Sequence, residues 1–139
     1  MSGLENLFVN IAEGKIPSYK VYEDDLVFAF LDINPIAPGH TLVIPKKRYV
    51  TLDQLPEKTA AAIGAVLPKI ARAIIKATGC KHYNILQNNG SIAHQVVPHV
   101  HFHIIPKPSK EQGLGVGWPQ GKLDKSEAEG LTKKITAAM

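Results

Sequence analysis

Three histidines occupy alternate positions in the stretch PHVHFHIIPK: His99, His101 and His103. The chain has six histidines, so half of them fall within five residues. On a strand, residues i, i+2 and i+4 share a face. The three imidazoles would then line up, with Val100, Phe102 and Ile104 turned the other way, toward a core. Three chemistries fit such a row. The first is a solvent-facing polar stripe, although imidazole is an unusual choice for an exposed face. The second is metal binding, since neutral imidazole is a common zinc ligand. At about 3.3 Å per residue, however, His99 and His103 lie roughly 13 Å apart, too far for one ion to take all three. No HExxH or CxxC supplies further ligands. The third makes His101 a nucleophile or general base between two supporting imidazoles. Three cations crowded on one short face repel, which favours at least one neutral ring near pH 7. A neutral ring has the free lone pair that attack on phosphorus requires, and its other nitrogen must donate a hydrogen bond to hold the tautomer.

The preceding stretch QNNGSIAHQ supports the third reading. It places Asn88, Asn89, Gly90, Ser91 and Gln95 just upstream of the histidines. Amides, hydroxyls and main-chain N–H groups near a glycine can surround a phosphate and stabilise developing negative charge. Cys80, the only cysteine, precedes a predicted strand and reads as packed rather than reactive.

The elements that must position these groups follow from periodicity. Leu4, Leu7, Phe8 and Ile11 recur at helical spacing, and Gly14 ends that helix. YKVYEDDLVFAFLD reads as two short strands about a turn at Asp24 and Asp25, and HTLVIP as a third strand after the loop NPIAPG. Pro56 to Thr78 reads as the main helix, with Ile63, Val66, Leu67, Ile70 and Ile74 in one stripe and Gly79 closing it. Pro68 inside it is expected to kink it. KHYNILQ and HVHFHIIP complete five strands. Strands joined by short turns, with one long helix between the third and fourth, predict an α+β domain built on an antiparallel sheet.

The chain has 139 residues, a length suited to one domain spanning residues 1–139, with a tail from about residue 108 that is glycine- and proline-rich before a weakly helical end. Hydrophobic residues make up 45% and the net charge is +4. That mild basicity suits a phosphate-bearing ligand, but the lysines are dispersed as on an ordinary solvated surface. Aromatic and basic residues are not interleaved, so no nucleic-acid partner is expected. No apolar run reaches the roughly 18 residues of a membrane span, and no membrane partner is expected. The N-terminal stretch has no basic segment before its apolar residues and does not read as a signal peptide. A single cysteine supports no disulfide framework and no all-cysteine zinc site. The expected location is cytoplasmic, with the nucleus as a second compartment.

HVHFHIIPK preceded by NNGSIAHQ resembles the H-x-H-x-H-x-x signature of the histidine triad nucleotide-binding proteins. The resemblance extends to IPSYKVYEDDLVFAFLDINPIAPGHTLVIPKK and to GVGWP, and so covers nearly the whole chain. It implies a five-stranded antiparallel sheet with one long helix and a short N-terminal helix, dimerising into a ten-stranded sheet. It implies an enzyme of the nucleoside phosphoramidase branch, with a purine nucleotide substrate and no cofactor. His101 matches the nucleophile, and His99 and His103 match the flanking members that hold the phosphate and its protons. His40 matches a fourth histidine near the triad. Asn88 and Gln95 match phosphate-binding positions. Asp32 matches the carboxylate that accepts from the ribose hydroxyls. Leu7, Phe8, Ile11, Phe30, Leu31 and Ile33 match the slot around the base, although spacing alone reads them equally well as core. Trp118 matches a cap over the partner subunit's site.

Within the family, His103 disfavours the uridylyltransferase branch, which has glutamine there, and Asn88 favours phosphoramidases over diadenosine-polyphosphate hydrolases. The alternatives are a dinucleoside polyphosphate hydrolase and a nucleotide-binding scaffold with incidental hydrolysis. Three departures stand out. Val96 replaces a common serine. His94 replaces a common glycine, which is expected to narrow the loop's conformation. Asn6, Val9 and Arg48 stand where some members have a Cys-x-x-Cys pair and a histidine, so no structural zinc is expected.

Overall fold

Two apolar periods in the chain become the two covered faces of one sheet. The computed structural model describes residues 3–139. Its strands are β1 (Lys20–Glu23), β2 (Val27–Leu31), β3 (Thr41–Pro45), β4 (Tyr83–Gln87) and β5 (Phe102–Pro106). All neighbours pair antiparallel in the order β1-β2-β3-β5-β4. The α+β reading and the five-stranded sheet are therefore what the chain forms.

One face of the sheet carries Val27, Ala29, Val43 and Ile104. They pack against Ile63, Val66, Ile70 and Ile74 of the helix Glu57–Thr78. The other face carries Phe28, Phe30, Leu42 and Ile44, which pack against Phe8 and Ile11 of α1 (Leu7–Ala12). Covered on both sides, β2 and β3 read as unbroken apolar runs rather than alternating ones. Each fully buried aliphatic side chain contributes roughly 1.5–3 kcal/mol. The half-exposed Lys46–Glu23 ion pair, at 2.7 Å, is screened by solvent, so packing dominates.

The long helix, α2 (Glu57–Thr78), runs through Pro68 as one element. It stops where Gly79 turns left-handed at φ 74° and donates its N–H to Ile75 O at 2.8 Å.

Three sequence expectations change. The first turn of the N-terminal helix, Gly3–Asn6, is a 3-10 turn leading into α1. The last strand begins at Phe102, not at His99, because the backbone before it pairs elsewhere: Val100 N–H donates to Tyr49 O at 2.7 Å and His99 N–H to Val97 O at 2.8 Å. The weakly helical end is a full helix, α3 (Lys125–Ala138), started by Asp124, whose Oδ2 accepts from Glu127 N–H at 3.0 Å. No residue of α3 is buried. Among the described residues no helix is long and apolar enough to cross a membrane.

Candidate active site

The histidines gather on the sheet face that carries α1. His103 pairs in register with Leu42 on β3 and Leu86 on β4, so it shares their face. His101 stands two residues earlier, and its ring centroid is 5.0 Å from that of His103. Phe8 of α1 meets both preceding imidazoles edge-on, with centroids 5.1 Å from His101 and 5.6 Å from His99. The imidazole row is thus real, but only its last member lies on a strand. Its rings are largely withdrawn from water: His99 and His101 are buried, and His103 is half-buried.

Main-chain partners assign each ring its proton. His101 Nδ1 lies 2.7 Å from His99 O, a carbonyl that can only accept, so Nδ1 carries the proton and Nε2 keeps its lone pair. His99 Nε2 lies 2.8 Å from Pro45 O and is likewise the protonated nitrogen. Its Nδ1 is buried without a partner, the only such side-chain atom among the described residues. The segment before β5 is clamped to the exit of β3: Arg48 Nε donates to Pro98 O at 3.0 Å, beside the Pro45 and Tyr49 contacts. His99 therefore meets His101 through its own carbonyl, while its ring is anchored on Pro45 O.

His40 and Asp32 are presented by a self-bracing loop between β2 and β3. Asp32 N–H donates to His40 O at 2.9 Å, Asn34 N–H to Asp32 Oδ1 at 2.8 Å, and Ile36 N–H to His40 Nδ1 at 3.1 Å. Gly39 makes the turn at φ 92°, and an added Cβ would stand 3.1 Å from Thr78 Cγ2. His40, itself buried, reaches His103 Nδ1 with Nε2 at 2.9 Å and Asp32 Oδ2 at 3.5 Å.

Burial is the first cause of every shifted histidine here. It pushes His99 and His103 down to about 4, and lowers His40 and His101 as well. The hydrogen bond to His99 O and the charge of Asp32 pull His101 partly back. At neutral pH the cluster is uncharged, and His101 offers a neutral nucleophile.

Beside His101 and His103 opens a cavity of about 460 Å³, within the range of small-molecule sites. All six residues expected around a base line it: Leu7, Phe8, Ile11, Phe30, Leu31 and Ile33, with Asp32 among them. Leu42, Ile16, Pro17, Ser18, Asn34 and Val97 line it too and escaped the sequence reading. Leu42 could have been found, since it follows His40 by two on a strand. Val96, in place of the common serine, also lines it. Asn88 directly follows Gln87, the partner of Phe102, and is half-buried, and it is not among the residues that line the cavity. Gln95 uses both ends of its amide internally, accepting from Gly90 N–H at 2.7 Å and donating to Val50 O at 2.6 Å. It thus braces the loop rather than opening toward the cavity. Trp118 is 79% exposed and lines no part of the cavity in its own chain.

Two metal positions can be tested on donor chemistry. Asp32, His40 and His103 bring ligand atoms within 4.8 Å of one another. The N–H of Ile36 holds a lone pair on His40 Nδ1, which puts the ring proton on Nε2, the atom an ion there would need. At the second, Asn6, Val9 and Arg48 offer no thiolate or imidazole, and the Arg48 guanidinium already holds Pro98 O. Neither set fits an ion.

Four histidines thus group on one face of an antiparallel α+β sheet, beside an apolar cavity that also carries the Asp32 carboxylate. The HIT domain family matches residues 13–110, and the chain belongs to that family. It is 47% identical over 131 residues to an adenosine 5′-monophosphoramidase of Schizosaccharomyces pombe, covering 94% of this chain and 96% of that protein. It is 43% identical over 133 residues to an adenosine 5′-monophosphoramidase of Saccharomyces cerevisiae, covering 96% of this chain and 82% of that protein. A histidine triad nucleotide-binding protein from Candida albicans superimposes with a TM-score of 0.87 at 42% identity, covering 95% of each chain.

Proposed function

We propose that this protein is a hydrolase acting on phosphorus–nitrogen bonds, which cleaves purine nucleoside 5′-phosphoramidates to nucleoside monophosphate and amine. The observation that carries the reading is the His101 Nδ1 to His99 O hydrogen bond, which leaves a lone pair on Nε2 beside a cavity of about 460 Å³. In the first step Nε2 bonds to the α-phosphorus, and the P–N bond breaks with its electron pair going to the departing nitrogen, which takes up a proton from solvent and leaves as the amine. In the second, water attacks phosphorus and gives up a proton to solvent, and the P–Nε2 bond breaks with its electron pair returning to Nε2 as the nucleoside monophosphate leaves. Asp32 has lone pairs beyond those facing Asn34 N–H and His40, and these can accept from the ribose hydroxyls. Relatives at 43–47% identity are named for adenosine 5′-phosphoramidate hydrolysis, which favours this substrate over dinucleoside polyphosphates.

Rapid quenching with adenosine 5′-phosphoramidate labelled in the phosphate should trap nucleotide on His101, and His101→Ala should abolish turnover. Turnover persisting in that variant, with no trapped adduct, would overturn the covalent route. A scaffold role would survive the same substitution, and faster turnover of diadenosine polyphosphates would point to the other hydrolase reading.

We also propose a homodimer paired through β4. The two sheet edges differ: β1 carries Lys20 and Glu23 with a register irregularity, whereas β4 is regular and exposes Tyr83 and Ile85. Irregular charged edges resist pairing and regular apolar ones invite it. Such pairing makes ten strands of two fives and gives Trp118 a partner site to cap. Light scattering should give twice the chain mass for wild type and about the single-chain mass for Ile85→Lys.

A further inference from the structure

Ile36, His40 and His103 form a hydrogen-bond chain that can run in one direction only. A main-chain N–H cannot become an acceptor, so His40 Nδ1, 3.1 Å from Ile36 N, must keep its lone pair. The proton of the neutral His40 ring then sits on Nε2. Two N–H groups cannot face each other at the 2.9 Å that separates His40 Nε2 from His103 Nδ1. His103 Nδ1 is therefore a lone pair as well, and its proton sits on Nε2.

We propose that Ile36 N–H and His40 form a tautomer lock, which holds His103 as a neutral Nε2–H donor to the substrate's phosphoryl oxygens and bars it from carrying two protons. His40 is in this sense a positioning residue, acting on the reaction through His103. The proposal deepens the phosphoramidase reading by restricting what His103 can do in it: it stabilises charge on oxygen and does not cycle through an imidazolium.

The groups facing His103 agree with the lock. Asp32 from the end of β2 is the only one that favours a cation, and its Oδ1 is already engaged by Asn34 N–H. Opposing it are burial, His101 from the segment before β5, and His40 from the loop before β3. Leu86 on β4, in register with His103, brings no charge.

The test reads the protons themselves. Long-range 1H–15N correlation spectra of the 15N-labelled full chain should show, for both His40 and His103, a protonated Nε2 and a bare Nδ1 throughout pH 6–8. A doubly protonated or Nδ1-protonated His103 in that range overturns the proposal. His40→Gln retains an N–H for His103 and should retain the spectral pattern. His40→Glu offers acceptors only, so it should move the proton of His103 to Nδ1 and raise its titration above pH 6.5. With turnover measurable, the acid limb of kcat/KM should move up by at least one pH unit in His40→Glu and stay in place in His40→Gln. A folded His40→Glu whose His103 keeps the wild-type pattern also overturns it. Should the glutamate variant not fold, the wild-type and glutamine spectra decide alone. The spectra need no substrate, so the lock and the phosphoramidase reading fail separately.

Discussion

A buried imidazole that attacks phosphorus has to be neutral before substrate arrives, and desolvation keeps His101 so below the ordinary histidine value of 6.5. The acid limb of kcat/KM should accordingly lie below pH 6.5, which a profile from pH 4.5 to 8 would check; a limb at or above 6.5 would contradict the burial of this ring. His94 is the other residue whose chemistry is set by its backbone. It sits at φ 71°, the only positive φ outside glycine among the described residues, and its side chain is exposed. A left-handed backbone is one that glycine adopts without strain, which fits the family's common glycine at this position. His94→Gly should raise stability by about 0.5–1 kcal/mol, read as a higher urea midpoint with unchanged slope.

At the scale of elements, the site depends on two loops that brace themselves. Gly39→Ala forces a Cβ into 3.1 Å contact with Thr78 Cγ2 at a positive φ. It should cost roughly 1–3 kcal/mol and lower kcat more than it raises KM, since His40 is displaced with the turn. Arg48→Ala should lower kcat while leaving the circular-dichroism spectrum intact, because it frees Pro98 O and loosens the carbonyl that orients His101. Periodicity made the five strands and the long helix legible, because both sheet faces are apolar wherever a helix covers them, whereas only the family resemblance separated the apolar slot of Leu7, Phe8, Ile11, Phe30, Leu31 and Ile33 from core. It could not place the start of β5. Alternation in HVHFHIIP continues upstream of Phe102, while the backbone there pairs with Tyr49, a neighbour only in space. Equal spacing also hid the unequal roles of the histidines. His99 turns its ring to Pro45 O, and no pattern of residue types announces a carbonyl as the functional group.

For the whole molecule, the same burial predicts acid sensitivity. His99 titrates at about 4 when folded against 6.5 when unfolded. Between those values the unfolded chain binds more protons, so the contribution is fully present above about pH 6.5 and is lost as pH falls toward 4. For a ring with no exposure the loss is on the order of 3 kcal/mol. His103 adds to it in the same direction. Urea denaturation at pH 7 and pH 4.5 should show stability falling with acid; equal stability at the two would count against neutral buried rings.

The carbonyl of His99 has one more consequence, for how the site withstands mutation. Every codon change at position 99 alters a ring and leaves the C=O in the chain, so the group that sets the nucleophile's proton is invisible to alanine scanning. Only a change of the backbone itself reaches it. Replacing Val100 with its α-hydroxy-acid analogue turns the 99–100 amide into an ester. That weakens the acceptor for His101 and deletes the N–H that Tyr49 O receives, without touching a side chain.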